Sequence, residues 1–389
     1  MNKIYTIGEI CSRFSSGKNI TSENIHEHGD YPVYGGNGLR GYSNCYNFQG
    51  QCAIIGRQGA YCGNVRFFCG KGYMSDHAVV AVTNENHDNR YFAYKLGLLD
   101  LGRFSGQAAQ PGISVTKIAR LKLEMPPLQT QHRIASILST YDNLIENNNR
   151  RIRLLEQMAE NLYKEWFVRF RFPGHEKTEF DNGLPRGWEV KKLGEWGIVL
   201  DTGSRPKGGI DDTLTEGVPS LGAEAIKDLA FFDYSSTKYI PHEFYDKMKR
   251  GRNIGKDILL YKDGAYIGKV TLFQDGFPFP EYTINEHVFF LSPTSEEYKN
   301  YLYFTLHQDA FFSLMQNLNR NAAQPGLSRP DIERIKILIP KKVIITEYNK
   351  VIEPILGNIF KLAKQNTLLA RQRDLLLPRL MSGKIEVNV

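Results

Sequence analysis

Arginine, lysine, glutamine and asparagine residues recur in the glycine-rich connecting segments of this 389-residue chain. A first group comprises Arg40, Arg57, Gln58, Arg66, Gln107 and Gln110. A second comprises Arg205, Lys207, Lys262, Lys269, Arg320, Asn321 and Gln324. Arginine and lysine suit phosphate or guanine, whereas glutamine and asparagine suit adenine. The two groups predict contacts to DNA, although each single side chain could equally be an ordinary surface residue.

The two groups lie on a duplicated scaffold. The matching segments are 108–114 (AAQPGIS) with 322–328 (AAQPGLS) at an offset of 214, 59–65 with 264–270 at 205, 76–79 with 286–289 at 210, and 7–9 with 193–195 at 186. A period of this length is too long for a solenoid repeat, so each copy must be a domain. The changing offset indicates that the strands are retained while the loops have drifted in length. Two domains with the same kind of task on different targets would show this pattern, because loops set specificity.

Each copy ends in a heptad pattern, with core-type residues in alternating steps of four and three. The first seam comprises Ile134, Leu138, Tyr141, Ile145, Asn148, Ile152, Leu155, Ala159, Leu162 and Trp166. The second comprises Tyr348, Ile352, Ile355, Ile359, Leu362, Asn366, Leu369, Arg373, Leu376 and Leu380. The seams predict two long helices that pair with each other.

The seams also predict a register, because antiparallel partners have residue numbers with a constant sum. A sum of 514 pairs Ile134 with Leu380, Leu138 with Leu376, Ile145 with Leu369, Ile152 with Leu362, Leu155 with Ile359, Ala159 with Ile355, Leu162 with Ile352, and Trp166 with Tyr348. It also sets Asn148 opposite Asn366, and Arg373 opposite Tyr141. A shifted register would bury each amide against aliphatic side chains, at roughly 1 to 3 kcal/mol apiece. We therefore expect the asparagines to hydrogen-bond, and Arg373 to lie over the Tyr141 ring or reach solvent past it.

These patterns predict an α+β protein with two mixed α/β domains separated by two long antiparallel coiled-coil helices. The internal duplication implies pseudo-twofold symmetry. The expected boundaries are a first domain at 1–125, a first long helix at 126–172, a linker at 173–183, a second domain at 184–341, and a second long helix with the C-terminal tail at 342–389. Within the last helix, Pro354 should cause a bend or mark the first turn.

Composition favours a polyanionic partner only modestly, because 49 basic residues are set against 42 acidic ones for a net charge of +7. All five cysteines fall in the first copy, and an odd number without counterparts argues against a disulfide framework. The chain shows neither a targeting segment nor an apolar run of membrane-spanning length. We expect a cytoplasmic protein.

Local motifs for catalysis or cofactors have weak support. The GxGxxG segment at 36–41 is not followed by an amphipathic helix, so a surface loop is favoured over a dinucleotide site. Cys62, Cys69 and His77 lack the spacing of a zinc site, and no glycine motif or base-gripping loop of a DNA methyltransferase occurs. His77 and His287, at equivalent places, are expected to be structural residues at strand ends. We predict no catalytic residue, no metal and no cofactor on this chain.

Along essentially its whole length the sequence resembles the specificity subunit of type I restriction-modification systems. The resemblance rests on the paired AAQPG segments together with PPL at 126–128, LYKEWF at 162–167, LPRGWEV at 184–190 and LLPRLMSGKI at 376–385. The departure is KKVIIT at 341–346, where the second copy lacks the Pro-Leu-x-x-Gln character of the first. This leaves the start of the second long helix open.

The resemblance implies a non-catalytic reader of double-stranded DNA. Each domain would be a target-recognition domain for one half of a bipartite, asymmetric site, and the helices would set the spacer. The implied partners are two methyltransferase subunits and the restriction subunits, which carry translocase and endonuclease functions. S-adenosylmethionine and ATP are expected on those partners.

Two other function classes remain open at this point. One is a self-contained DNA-modifying enzyme with an unrecognised site, and the other is a scaffold with two ligand-binding domains. Unaided cleavage or methylation of a duplex would support the first. A lack of DNA binding, with or without a methyltransferase, would support the second.

Overall fold

The computed structural model describes residues 2–59, 61–106, 112–211, 213–264, 266–318 and 326–387. The chain divides into two compact units, one formed by Met1–Ile145 with Leu369–Val389 and the other by Glu146–Leu368. Each unit contains a mixed α/β domain and a portion of both long helices. Within the described ranges, no helix is long and apolar enough to cross a membrane.

The first domain is built around a six-stranded sheet. Its elements are β1 (Lys3–Thr6), α1 (Ile7–Ile10), β2 (Cys11–Ser16), β3 (Tyr31–Gly35), β4 (Gly38–Ser43), β5 (Phe48–Gly56), β6 (Val65–Met74), β7 (Ala78–Thr83), α2 (Asn89–Gly97), α3 (Val115–Ala119) and β8 (Lys122–Met125). The sheet order is β2-β7-β5-β6-β3-β4, and β1 pairs separately with β8. The central strands β5 and β7 are largely buried, as expected for apolar runs bounded by glycine and polar residues.

The second domain repeats this plan. After the first long helix, α4 (Leu128–Tyr163), come β9 (Phe180–Asp181), β10 (Leu184–Pro185), β11 (Glu189–Lys192), α5 (Leu193–Trp196), β12 (Ile198–Thr202), β13 (Val218–Leu221), β14 (Lys238–Ile240), α6 (His242–Lys247), β15 (Lys256–Tyr261), β16 (Val270–Gln274), β17 (Thr283–Ile284), β18 (Val288–Pro293), α7 (Lys299–Leu306), α8 (Asp309–Leu318), α9 (Arg329–Glu333) and β19 (Lys336–Ile339). Strand order β12-β18-β15-β16 reproduces β2-β7-β5-β6, while β14-β13-β17 forms a separate sheet. The β11-β19 pair corresponds to β1-β8.

The second long helix is α10 (Lys342–Met381). It starts 214 residues after Leu128, the first residue of α4. The divergent 341–346 segment therefore does not move the helix start. Pro354 lies inside α10 and does not mark its first turn. The structure describes every position of both seams, and none is exposed. Burial along both seams is the pattern that the heptads predict.

In the second unit the helices adopt the predicted antiparallel register. The Asn148 side-chain amide donates a hydrogen bond to Asn366 Oδ1 over 2.9 Å, and the Asn366 amide donates to Asn149 Oδ1 over 2.8 Å. At the other end the rings of Trp166 and Tyr348 lie 5.7 Å apart. Both pairs satisfy the sum of 514.

In the first unit one polar partner differs from the prediction. Arg373 Nη1 lies 2.7 Å from an Asp142 carboxylate oxygen. The prediction instead placed the Arg373 side chain over the neighbouring Tyr141 ring or in solvent past it. A carboxylate gives a guanidinium directed, charge-assisted bonds, which outweigh a ring face when both are within reach. Asp142 also accepts a hydrogen bond from the Tyr94 hydroxyl and so connects α2 to the helix pair.

The first long helix ends in one π-helical turn, Lys164–Val168. Here Trp166 and Phe167 are buried against Tyr348, and Phe167 also packs against Trp188. The wider turn changes the direction of successive side chains, so that adjacent aromatic residues both face the core.

Candidate nucleic-acid interface

Three segments that are distant in sequence meet at one place in the first domain. The backbone N–H of Arg57 donates to the His77 carbonyl over 2.9 Å, and the N–H of Ile113 donates to the Arg57 carbonyl over 2.9 Å. Gln58 and Gly112 form an antiparallel bridge. We call residues 57–58, 75–77 and 112–113 the first junction.

The second domain contains the same hydrogen bonds. Lys262 N–H donates to the His287 carbonyl over 3.0 Å, Leu327 N–H donates to the Lys262 carbonyl over 2.9 Å, and Asp263 bridges Gly326. Residues 262–263, 285–287 and 326–327 are the second junction. Sequence matches at three different offsets thus converge on one shared backbone arrangement.

Each junction holds one cationic side chain in the same way. Arg57 Nη1 donates to the Asp76 carbonyl at 3.3 Å and to Ser16 Oγ at 3.2 Å. Lys262 Nζ donates to the equivalent Glu286 carbonyl at 3.1 Å. A carbonyl carries no net charge, so the anchor of Arg57 orients the cation without neutralising it, whereas Lys262 Nζ also lies 3.4 Å from an Asp263 carboxylate oxygen. An oriented cation beside a loop suits phosphate or guanine.

The duplicated histidines begin a strand at each junction. The His77 N–H is held by Ser75 Oγ at 3.3 Å, and the His287 N–H by Asn285 Oδ1 at 2.9 Å. These equivalent backbone bonds support the predicted structural role. The His287 ring additionally contacts the carboxylate of Asp263 at 3.2 Å.

Arg40 on β4 and Arg66 on β6 lie beside the first junction, where β3 and β4 form a tight hairpin. The GxGxxG segment forms the turn and start of β4, because residues 36–37 are the whole connection between β3 and β4. A Cβ added to Gly36 would lie 2.4 Å from the Gln58 carbonyl oxygen, and one added to Gly38 would lie 2.9 Å from Arg66 Cζ. The hairpin therefore packs directly against the junction and carries exposed Arg40, while exposed Arg66 on β6 lies against the hairpin at Gly38.

Three predicted residues of the second domain, Arg205, Lys262 and Lys269, form ion pairs. Arg205 Nε lies 3.1 Å from a Glu286 carboxylate oxygen, and Lys262 Nζ lies 3.4 Å from Asp263. Lys269 Nζ is 3.9 Å from Asp228. Lys207, two residues after Arg205, is exposed. Beside the ion pair of Arg205 is a cavity of about 450 Å³ lined by Arg205, Ile210, Ser220, Glu224, Ser236, Lys238 and Asn285.

Comparison with known proteins decides the family. The model of the type I restriction modification DNA specificity domain matches residues 2–157 and 185–370, which is most of the chain. The chain belongs to this family. It is a sequence-specific DNA specificity subunit of a type I restriction-modification system.

Individual relatives agree with this assignment. The specificity subunit of type I restriction enzyme MjaIX from Methanocaldococcus jannaschii is 26% identical over 428 aligned residues, covering 100% of this chain and 94% of the relative. That of EcoprrI from Escherichia coli is 36% identical over 160 residues, or 40% of each chain. A crystal structure of the type I restriction-modification S subunit from M. genitalium covers 98% of this chain and 96% of that chain, with a TM-score of 0.62 and 17% identity. This last likeness concerns the fold.

Some predicted DNA contacts of the specificity subunit lie outside the described residues. They are Gln107, Gln110, Arg320, Asn321 and Gln324. They remain predictions. In the sequence, these residues come shortly before Gly112 and Gly326, which form bridges with Gln58 and Asp263 in the two junctions.

One equivalent pair of exposed aromatic residues was missed by the sequence reasoning about DNA contacts. Tyr61 is 54% exposed and Tyr266 is 64% exposed, and both lie in the duplicated GAYxG turn that follows the junction cation. The duplicated motif itself was the available signal. The predicted DNA contacts were restricted to charged and amide side chains, so they included residues near these tyrosines but not the tyrosines themselves.

Two of the five thiols of the specificity subunit are poorly suited to metal binding. Burial raises the pKa of Cys11 and of Cys52 to about 12, so both stay protonated at neutral pH. Among the described residues, Glu156, Glu160 and His307 form the one group whose ligand atoms could jointly hold a metal ion, lying within 4.8 Å of one another. Burial raises the pKa of Glu156 to about 7, which weakens it as a ligand at neutral pH.

Proposed function

We propose that this specificity subunit reads a bipartite, asymmetric DNA site, with each domain contacting one half. The observation that carries the proposal is the pair of junctions. They share backbone hydrogen bonds but differ in the polar groups that they present, with Arg57 and Gln58 in one and Lys262 and Asp263 in the other. Equivalent frameworks with different donors and acceptors suit two different base sequences.

We assign the chemistry to partner subunits. Two methyltransferase subunits would bring S-adenosylmethionine, and restriction subunits would bring ATP-dependent translocation and cleavage. This chain would be non-catalytic and act on DNA in the cytoplasm. A specificity subunit that supplies only recognition needs no nucleophile or general base of its own.

Exposed apolar side chains on the long helices support docking of the methyltransferase subunits. Leu154 and Met158 are adjacent on one face of α4 and more than half exposed, as is Leu368 on α10. Large apolar groups on otherwise charged helices mark protein contacts more often than isolated surface residues do.

The long helices would set the unspecified spacer between the two half-sites. A four-residue insertion after Asn149 adds roughly 6 Å of helix, close to two base pairs at about 3.4 Å each. We expect the methylated site of such a variant to have a longer spacer. An unchanged spacer would contradict this role of the helices.

The test of two-part reading is an exchange of residues 1–125 for the same region of a relative with a known target. Methylation sites would be mapped across the genome of a strain that carries the chimera and the methyltransferase. We expect one half of the site to change and the other to stay the same. A simultaneous change of both halves would overturn the proposal, and methylation by the purified chain alone would show that it is an enzyme itself.

A further inference from the structure

The GAYxG turns carry the same exposed residue in both domains although their surroundings differ. Tyr61 and Tyr266 are exposed on the turns that connect β5 to β6 and β15 to β16. Each turn follows the junction cation within a few residues, so both tyrosines stand beside the candidate DNA-reading groups. A single exposed tyrosine would need no explanation, but two at equivalent positions do.

Both turns are rigid at the base. Gly63 N–H donates to the Gly56 carbonyl over 2.8 Å, and Gly268 N–H donates to the equivalent Tyr261 carbonyl over 2.9 Å. The two glycines have φ values of +93° and +86°. A Cβ would lie 2.2 Å from Gly102 N in the first case and 2.6 Å from Met315 Cβ in the second. The turns are thus packed onto the domain, while the tyrosine rings face solvent.

The residues around the two tyrosines have diverged. Among the polar positions, Gln58 and Asn64 of the first turn correspond to Asp263 and Lys269 of the second. Side chains that read bases are expected to differ between half-sites of different sequence. A side chain that stays the same is suited to the feature that both half-sites share, which is the sugar-phosphate backbone.

We propose that Tyr61 and Tyr266 are equivalent contacts to the DNA backbone, one in each half-site. The hydroxyl would donate a hydrogen bond to a phosphate oxygen, and the ring would cover the adjoining deoxyribose. This contact positions the junction on the duplex and carries no base preference. The inference rests on the proposed reading of one half-site by each domain.

The experiment measures DNA binding by the complex of this chain with its methyltransferase subunits. Tyr61→Ala, Tyr266→Ala and the double variant are compared with the unmodified chain on a cognate duplex and on an unrelated duplex. The loss of one hydrogen bond and one ring contact predicts a roughly three- to tenfold weaker affinity for each single variant. The reduction is the same on both duplexes, so the specificity ratio is unchanged. Because tyrosine is neutral, the salt dependence of binding is also unchanged.

Phe180→Ala is the matched control, because Phe180 is a half-exposed aromatic residue outside the GAYxG turns. It should bind both duplexes like the unmodified chain. Tyr61→Phe and Tyr266→Phe retain the ring and should lose less affinity than the alanine variants. Thermal unfolding of each variant shows whether the domain is still folded.

Several outcomes would overturn the inference. Unchanged affinity in the double variant removes the contact altogether. Weaker binding to the cognate duplex alone would make the tyrosines base readers, and weaker association with the methyltransferase would make them protein contacts. If the unmodified complex bound neither duplex, the proposed function itself would fail, which is a separate result.

Discussion

The two domains share a backbone framework and differ in what they display on it. The first connects β3 to β4 through residues 36–37, whereas the second connects β13 to β14 through residues 222–237. Both nevertheless form the same junction hydrogen bonds. The length of a neighbouring loop therefore varies without disturbing the place where the strand ends meet Gly112 in one domain and Gly326 in the other.

The polar groups of the junctions differ in kind. Gln58 can both donate and accept a hydrogen bond, whereas the Asp263 carboxylate accepts and already contacts Lys262 and His287. The acceptor that the second junction presents is therefore already shared with two side chains of its own domain. We infer that specificity resides in these groups, and that the framework beneath them is common to both domains.

The largest effect is expected from substituting two equivalent glycines, Gly17 and Gly203, which pack directly against the backbone of a strand. A Cβ on Gly17 would lie 2.1 Å from the Met74 carbonyl oxygen, and one on Gly203 would lie 1.5 Å from the Ile284 carbonyl oxygen. Gly17→Ala and Gly203→Ala should each destabilise the affected domain by about 3 kcal/mol or more, because backbone atoms have to move. Thermal unfolding measures the loss. Gly97→Ala, where a Cβ meets no atom within 4 Å, is the control. Equal melting temperatures for all three variants would contradict the tight packing of the shared framework at these two glycines.

The next effect concerns two layers of the helix pair that the duplication makes equivalent. The offset of 214 relates Asn148 to Leu362 and Ile152 to Asn366. The Asn148–Asn366 layer is therefore equivalent to the Ile152–Leu362 layer, and only the first of them is polar. Asn148→Leu alone should cost roughly 1 to 3 kcal/mol, because Asn366 loses its donor in a largely buried layer. The Asn148→Leu, Asn366→Leu double variant should recover much of this stability but lose register specificity.

Denaturant unfolding and mapping of the methylated spacer check this prediction together. A double variant whose spacer preference stays as sharp as that of the unmodified protein would contradict the proposed register role. Ile152→Leu provides an apolar exchange in the equivalent layer as a control.

A smaller effect distinguishes the two junction cations. Arg57→Ala and Lys262→Ala should each weaken cognate binding about tenfold and reduce the salt slope by about one. Arg57→Lys should retain the salt slope yet lose affinity if Arg57 makes a bidentate contact to guanine. Binding titrations at several salt concentrations separate the two cases. An unchanged slope in the alanine variants would place these cations away from phosphate.

The smallest effect is the contribution of Glu156, in the second unit, to the pH dependence of stability. Glu156 packs near Glu160, His307, Asp228 and the Leu229 N–H, and burial raises its pKa to about 7. The folded state therefore holds a proton that the unfolded state has released. Its stabilising effect is full below pH 4.5 and is lost as the pH rises through 7.

A neutral isostere at this position should remove the dependence. We expect Glu156→Gln to raise the melting temperature relative to the unmodified protein, by more at pH 8 than at pH 5. Glu146→Gln on an exposed part of the same helix is the control. A difference that stays constant over this pH range would contradict the shifted pKa. The position equivalent to Glu156 in α10 is Ala370, so the duplicated layer has no carboxylate to titrate.

Periodicity and internal repetition predicted much of the fold. The heptads located both long helices, and the structure leaves no seam position exposed. Apolar runs in the second copy predict strands at 257–261, 270–273 and 287–291, and these ranges agree with β15, β16 and β18 to within two residues. The sequence also suggests one helix over 295–318, which the structure splits into α7 and α8. Imperfect alternation suggests a strand over 118–125, but β8 begins only at Lys122. Short apolar runs do not reveal where a chain reverses, because turns depend on local backbone geometry.

By itself, the sequence determined the duplication, the two seams and the pairing of Asn148 with Asn366. Repeated spacing depends only on residue order, and a buried amide tolerates few partners. Only the tertiary structure decided that segments matching at three different offsets meet in one junction. It also paired Arg373 with Asp142 and exposed Tyr61 and Tyr266 at equivalent turns. Such contacts join residues that are distant in the chain, and they depend on how strands and loops pack in three dimensions.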